Sequence, residues 1–243
     1  MCARVPNPFN ALVQSLAFLG YIIYQHEIHY KKNGLSLVFL FLFLIALAGQ
    51  FFTGYKEHNK ELSEEGHPEI SPVEYVTSGH FIQATFENWE SEFLQMALFV
   101  LFTVFLYQKG SSESKKIEEE EDVDREPDPH KKDAPWPVRT GGFILALYRN
   151  SLSIALVILF ILSFVLHLYG SMKDENEFLA TKGLPPVDML PHMSSSRFWF
   201  ESFQNWQSEF LSVFTIVVFS IFFRQKGSSQ SKPVDASNSE TGE

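Results

Sequence analysis

Phe86-Glu-Asn-Trp-Glu-Ser-Glu-Phe-Leu94 and Phe203-Gln-Asn-Trp-Gln-Ser-Glu-Phe-Leu211 are two copies of one string, 117 residues apart. Each opens a hydrophobic run, and each run closes on Gln-Lys-Gly-Ser-Ser, beginning at Gln108 and again at Gln225. Extended outward at the same offset, residues 33–115 align with 150–232 without a gap, and about a third of the pairs are identical. The identities include Asn33/Asn150, Leu35/Leu152, Ser36/Ser153, Gly66/Gly183, Pro68/Pro185 and Phe81/Phe198. Loop length is kept as well as apolar composition, so a tandem duplication explains the match better than chance convergence.

The 243 residues carry a formal charge of -10, and phenylalanine is prominent at 25 copies. Apolar residues are gathered in blocks and charges lie between them. The negative balance gives no basic patch for nucleic acid. The single cysteine, Cys2, offers no disulfide framework.

Leu35 to Tyr55 is uncharged over about twenty residues, the length a transmembrane helix needs. The second run, from Phe93 to Tyr107, is shorter. Counting about twenty residues back from Lys109 places its outer boundary at Trp89, beside Asn88, where aromatic interface anchors gather. The third and fourth spans are Ser151–Gly170 and Trp206–Phe223, with Asn205 and Trp206 as the matching anchors. The apolar stretch 9–24 would make a helix of roughly 24 Å, short of the hydrocarbon core, and reads as a helix on the membrane surface, with a fifth span as the alternative.

The expected fold is therefore an all-α membrane protein. It has four transmembrane helices in two parallel-orientation hairpin repeats, preceded by the surface helix. The divisions are an N-terminal extension (1–32), repeat 1 (33–115, spans about 35–55 and 89–108), a charged disordered linker (116–149), repeat 2 (150–232, spans about 151–170 and 206–223) and a disordered tail (233–243). Two spans return the chain to its starting side, so both repeats insert the same way. Lys31, Lys32, Lys109, Lys115, Lys116, Arg149, Arg224 and Lys226 flank the spans on one side. The positive-inside rule makes that side, with the termini and linker, cytoplasmic and both hairpin loops extracytoplasmic.

Ionisable groups within spans are the first candidates for function. Glu92 and Glu209 are kept in both copies, whereas Glu87 and Glu90 become Gln204 and Gln207. This comparison favours Glu92 and Glu209 as the acids that matter. Gln50 and His167 occupy equivalent positions, and antiparallel pairing within each hairpin predicts Gln50–Glu92 and His167–Glu209 hydrogen bonds. His26-Glu-Ile-His29 has a spacing of three where the zinc protease motif needs four. Neither a metal site, a cofactor nor a catalytic motif is expected.

Asn33-Gly-Leu-Ser-Leu37, Ser78-Gly-His-Phe81 and Phe86-Glu-Asn-Trp-Glu-Ser-Glu-Phe-Leu-Gln95 resemble a family of bacterial multi-pass membrane proteins known as a domain of unknown function. The resemblance covers roughly residues 33–232. It implies a bacterial inner-membrane protein and carries over no activity. The expectation is a non-enzymatic structural or partner- and lipid-binding protein, with the bilayer, a homo-oligomer or another membrane protein as partner and no nucleic acid. The alternative is a small cation or proton transporter or channel using outer-leaflet Glu and His residues.

Overall fold

The computed structural model describes residues 8–242, with side chains from residue 32 onward. Regular structure among them is helical, without a strand. In chain order the helices are α1 (Pro8–Glu64), α2 (Pro72–Val76), α3 (Gly79–Phe102), α4 (Trp136–Thr140), α5 (Gly142–Arg149), α6 (Ser151–Thr181), α7 (Met189–Met193) and α8 (Ser196–Phe222). The chain divides into two compact units, Met1–Glu65 and Gly66–Glu243. Among the described residues, three stretches are long and apolar enough to cross a membrane: Lys32–Glu64 of α1, all of α6 and all of α8.

In the first unit, α1 exposes every large apolar side chain from Leu37 to Ile45. A helix apolar on all sides needs an apolar surround. Its polar end carries Lys60 between Glu57 and Glu64. The surface helix expected over 9–24 falls in the part of α1 whose side chains lie outside the described residues.

The second unit is organised on α3 and α6. These two pack along each other, and α8 makes a smaller contact with α3. Glycines set the approach. A Cβ on Gly79 would lie 2.1 Å from the Asp174 nitrogen, and one on Gly170 would lie 2.4 Å from the Gln83 nitrogen. Only hydrogen fits at either point, as at small-residue crossings of membrane helices. The Gly79 amide donates to Glu177 Oε2 at 3.0 Å. Gly79 opposite Asp174 and Gln83 opposite Gly170 define an antiparallel register.

Local structure recurs at the 117-residue offset. α1 and α6 end at Glu64 and Thr181, followed by Gly66 and Gly183 at φ 80° and 66°. α2 and α7 occupy equivalent residues. Ser78 and Ser195 cap α3 and α8 by accepting from the Phe81 and Phe198 amides. Asn88 and Asn205 each donate to the carbonyl four residues back. Ser114 and Ser231 each accept from the amide six residues earlier. In α2, Ser71 and Glu74 form a capping box, and the Ser71 amide holds the Glu74 carboxyl below its usual range.

Helix ends lie away from the expected span limits: α1 runs on to Glu64, and α3, over the expected second span of about 89–108, starts at Gly79 and stops at Phe102. Beyond it the chain turns, and the Thr103 hydroxyl bonds back to the Val100 carbonyl, a side-chain bond that competes with further helix. α6 runs to Thr181 and α8 begins at Ser196, so both project past their apolar stretches. Ion pairs between the projecting ends support them. Within the linker, residues 136–140 and 142–149 are helical. The tail is gathered by Lys232, which donates to the carbonyls of Ser237 and Glu240 at 3.0 and 2.8 Å, and the Gly242 amide donates to the Ser111 carbonyl.

Candidate functional site

His167 lies midway along α6 and is fully buried. The register fixed by Gly79 and Gly170 carries α3 onward so that Glu87 and Glu90 arrive beside it. The His167 Nδ1 is 2.6 Å from Glu90 Oε2, a short, charge-assisted separation. Its Nε2 is 3.3 Å from Glu201 Oε2 on α8 and 3.9 Å from Glu87 Oε2. One imidazole therefore joins three helices through three carboxylates.

Each acid has its own set of neighbours. The Trp206 indole N–H donates to Glu90 Oε1 at 2.9 Å, and Glu90 is fully buried. Glu201 Oε2 accepts from the Ser171 hydroxyl at 2.6 Å, and Oε1 accepts from Arg197 Nε at 2.9 Å. Arg197 also pairs with Asp174 and Glu175 of α6 and donates to Gln83 Oε1. Ser171 in turn meets His192 Nε2 at 2.8 Å. Burial pushes the His192 imidazole below its ordinary pKa, so its neutral ring serves this hydroxyl. Glu87 Oε2 is buried without a hydrogen-bond partner, as is the hydroxyl of fully buried Ser202.

Aromatic rings close one side of the centre. The Phe198 ring lies 4.8 Å from that of His167, and Phe164 meets Phe198 edge-on at 5.4 Å. Phe198, Ser202 and Trp206 are spaced by four, so one α8 face carries the ring on His167, the unpaired hydroxyl and the donor to Glu90. Apolar walls on one side and charged helix extensions on the other place the centre where the apolar part of the bundle gives way to its polar end.

The sequence-derived candidates fall differently. His167 belongs to the centre, but its ring nitrogens face Glu90, Glu201 and Glu87; the expected His167–Glu209 bond is replaced by these. Glu209 instead comes against Glu92. The cause is helix pairing: α6 lies along α3, so its polar residues meet acids of α3 as well as of α8. Gln50 belongs to the first unit and Glu92 to the second. Of the expected interface anchors, Trp206 turns its N–H inward to Glu90, while Trp89 packs edge-on to Phe86 at 5.1 Å. Asn88 and Asn205 bond to their own helices.

Glu90 is an acid that the copy comparison sets aside, and Glu201, Arg197, Ser171 and His192 are not among the sequence candidates. The signal for Glu90, Glu201 and Arg197 lies in the disagreements between the two stretches: Glu87/Gln204, Glu90/Gln207, Gln50/His167, Ala84/Glu201 and His80/Arg197 all differ in ionisable character. A single centre built once from two copies needs such differences, whereas retained residues mark what both copies do alike.

Fold and centre together define an all-helical protein with a buried carboxylate–imidazole cluster among helices long and apolar enough to cross a membrane. The chain belongs to the family described as domain of unknown function DUF6766, which matches residues 26–243. No curated protein and no solved structure matches the chain.

Proposed function

We propose that the protein is a non-enzymatic, multi-pass inner-membrane protein of bacterial type. Its two tandem hairpins share one cation-binding centre, through which it moves a proton or metal cation. α3, at about 36 Å by helical rise, serves as the fourth crossing, with its acids turned toward partners inside the bundle. The observation that carries the reading is His167, fully buried and surrounded by Glu87, Glu90 and Glu201.

Charge balance supports it. Arg197 pairs with Asp174, Glu175 and Glu201, and Glu87 and Glu90 have only the His167 ring as an ion-pair partner among the described residues. Apolar side chains of similar volume stabilise a fold as well as a buried ion pair or better, so stability alone is a poor reason for this cluster. Charged residues inside a membrane bundle are rare, face its interior and mark ion pathways and proton relays. The charged extensions of α6 and α8 give the centre a polar approach from the hairpin-loop side.

A second reading, a structural clamp, draws on the same contacts, because they tie α3, α6 and α8 together. Proteoliposomes loaded with pH- and metal-sensitive dyes separate the two. Flux of protons or divalent cations in wild type, reduced at least tenfold in inserted, folded Glu201→Gln protein, is expected. No flux of any cation from pH 5 to 9 rejects the transport reading in favour of the clamp.

A further inference from the structure

We propose that Glu87, His167 and Glu201 form a binding site for one divalent first-row metal ion such as Mn2+, Fe2+, Co2+ or Zn2+. The proposal rests on the cation-binding reading of the same centre and names its ligand. One oxygen from each acid and one imidazole nitrogen lie within 4.8 Å of one another.

The separations suit a shared ion better than direct bonds. Ligand atoms about 2.1 Å from a metal sit roughly 3.0–3.5 Å apart at coordination angles of about 90–110°. The Nε2–Glu201 and Nε2–Glu87 distances are 3.3 and 3.9 Å, one within that range and one slightly beyond it. The contact on the other ring nitrogen, 2.6 Å to Glu90, is tight by comparison. A carboxylate that takes the Nδ1–H fixes the tautomer and turns the Nε2 lone pair toward Glu87 and Glu201. This is the outer carboxylate that metal-bound histidines use, and Trp206 holds it in place from behind. Nε2, Glu87 Oε2 and Glu201 Oε2 would then face one another as acceptors, with only Glu201 Oε2 holding another donor, the Ser171 hydroxyl, and a cation between them relieves the repulsion.

An unpaired group points the same way: Glu87 Oε2 is buried with no hydrogen-bond partner. One imidazole nitrogen and two carboxylate oxygens leave coordination positions open and favour borderline divalent ions over Ca2+ or Mg2+.

The test uses full-length protein in detergent, stripped with EDTA and titrated with Co2+. Visible absorption reports coordination, and metal content is measured after gel filtration. Wild type is expected to retain one ion per chain more than Glu87→Gln, with a d–d band that the variant lacks. Glutamine already stands at the equivalent position, Gln204, so the substitution suits this helix type. Glu90→Gln should keep the stoichiometry and weaken affinity about 10–100-fold. Equal metal content in wild type and Glu87→Gln overturns the site. If Glu87→Gln does not fold, wild type decides alone: absence of a retained ion overturns the proposal. Proton flux in liposomes without any retained metal sinks the metal site and leaves the cation-binding reading standing; loss of both sinks both.

Discussion

Glu90 shows how single side chains make the centre dependent on its neighbours. Its two oxygens are used by groups on different helices, His167 on α6 and Trp206 on α8. Trp206→Phe keeps an aromatic ring beside Trp199 and Phe203 and deletes only the donor to Glu90. Leaving a buried carboxylate oxygen without its donor costs about 1–3 kcal/mol, measurable as a lowered unfolding midpoint in detergent. In a Glu90→Gln background the loss should shrink, giving a coupling of about 1 kcal/mol in a double-mutant cycle. Zero coupling means the indole contributes packing alone. His167 could be found from the sequence because an imidazole in an apolar run is unusual. Its partners could not, because the retained acids Glu92 and Glu209 drew attention from Glu90 and Glu201. Retention between copies reports a shared depth in the bundle; it does not report a site assembled once across both.

Helix existence was legible where about twenty uncharged residues run together, as in α1 and α6, and in α8 from the apolar run after Glu209. Helix ends and partners were not. The continuation of α6 to Thr181 depends on Asp174, Glu175 and Arg197 meeting across helices, and no local periodicity announces that. The choice of α3 as the partner of α6 depends on Gly79 and Gly170, which read as ordinary glycines until the backbones are seen to touch. Gly79→Ala and Gly170→Ala each drive a methyl into the opposite backbone, and overpacking of this kind costs about 1–3 kcal/mol. Gly49→Ala meets nothing within 4 Å and should be neutral, or stabilising by up to about 1 kcal/mol from helix propensity. Thermal unfolding of the three variants in one detergent checks the ordering. Equal midpoints for Gly79→Ala and Gly49→Ala would show that the crossing relaxes at little cost.

Topology decides which side of the membrane can reach the centre, and it turns on α3. α1, α6 and α8 are apolar enough to cross on composition alone. α3 carries Glu87, Glu90 and Glu92, and its uncharged part within the helix, Phe93 to Phe102, spans only about 15 Å. It crosses as a full-length helix only if its acids find partners inside the bundle, as Glu90 does with His167 and Trp206. Four crossings put residues 69 and 184 outside and residues 123 and 229 in the cytoplasm, matching the lysines and arginines beside the spans. With α3 lying flat, residues 123 and 229 move outside and residue 184 moves in. Glu69→Cys, Val123→Cys, Leu184→Cys and Ser229→Cys, each in a Cys2→Ser background, distinguish the cases with a membrane-impermeant maleimide on intact cells. Labelling of positions 69 and 184 alone is expected, with 123 and 229 reacting only after permeabilisation. Labelling of 69, 123 and 229 instead would remove α3 from the membrane. The carboxylate–imidazole centre would then lie at the edge of a three-helix protein, open to solvent and without the dry surroundings that make an intramembrane cation site costly to keep.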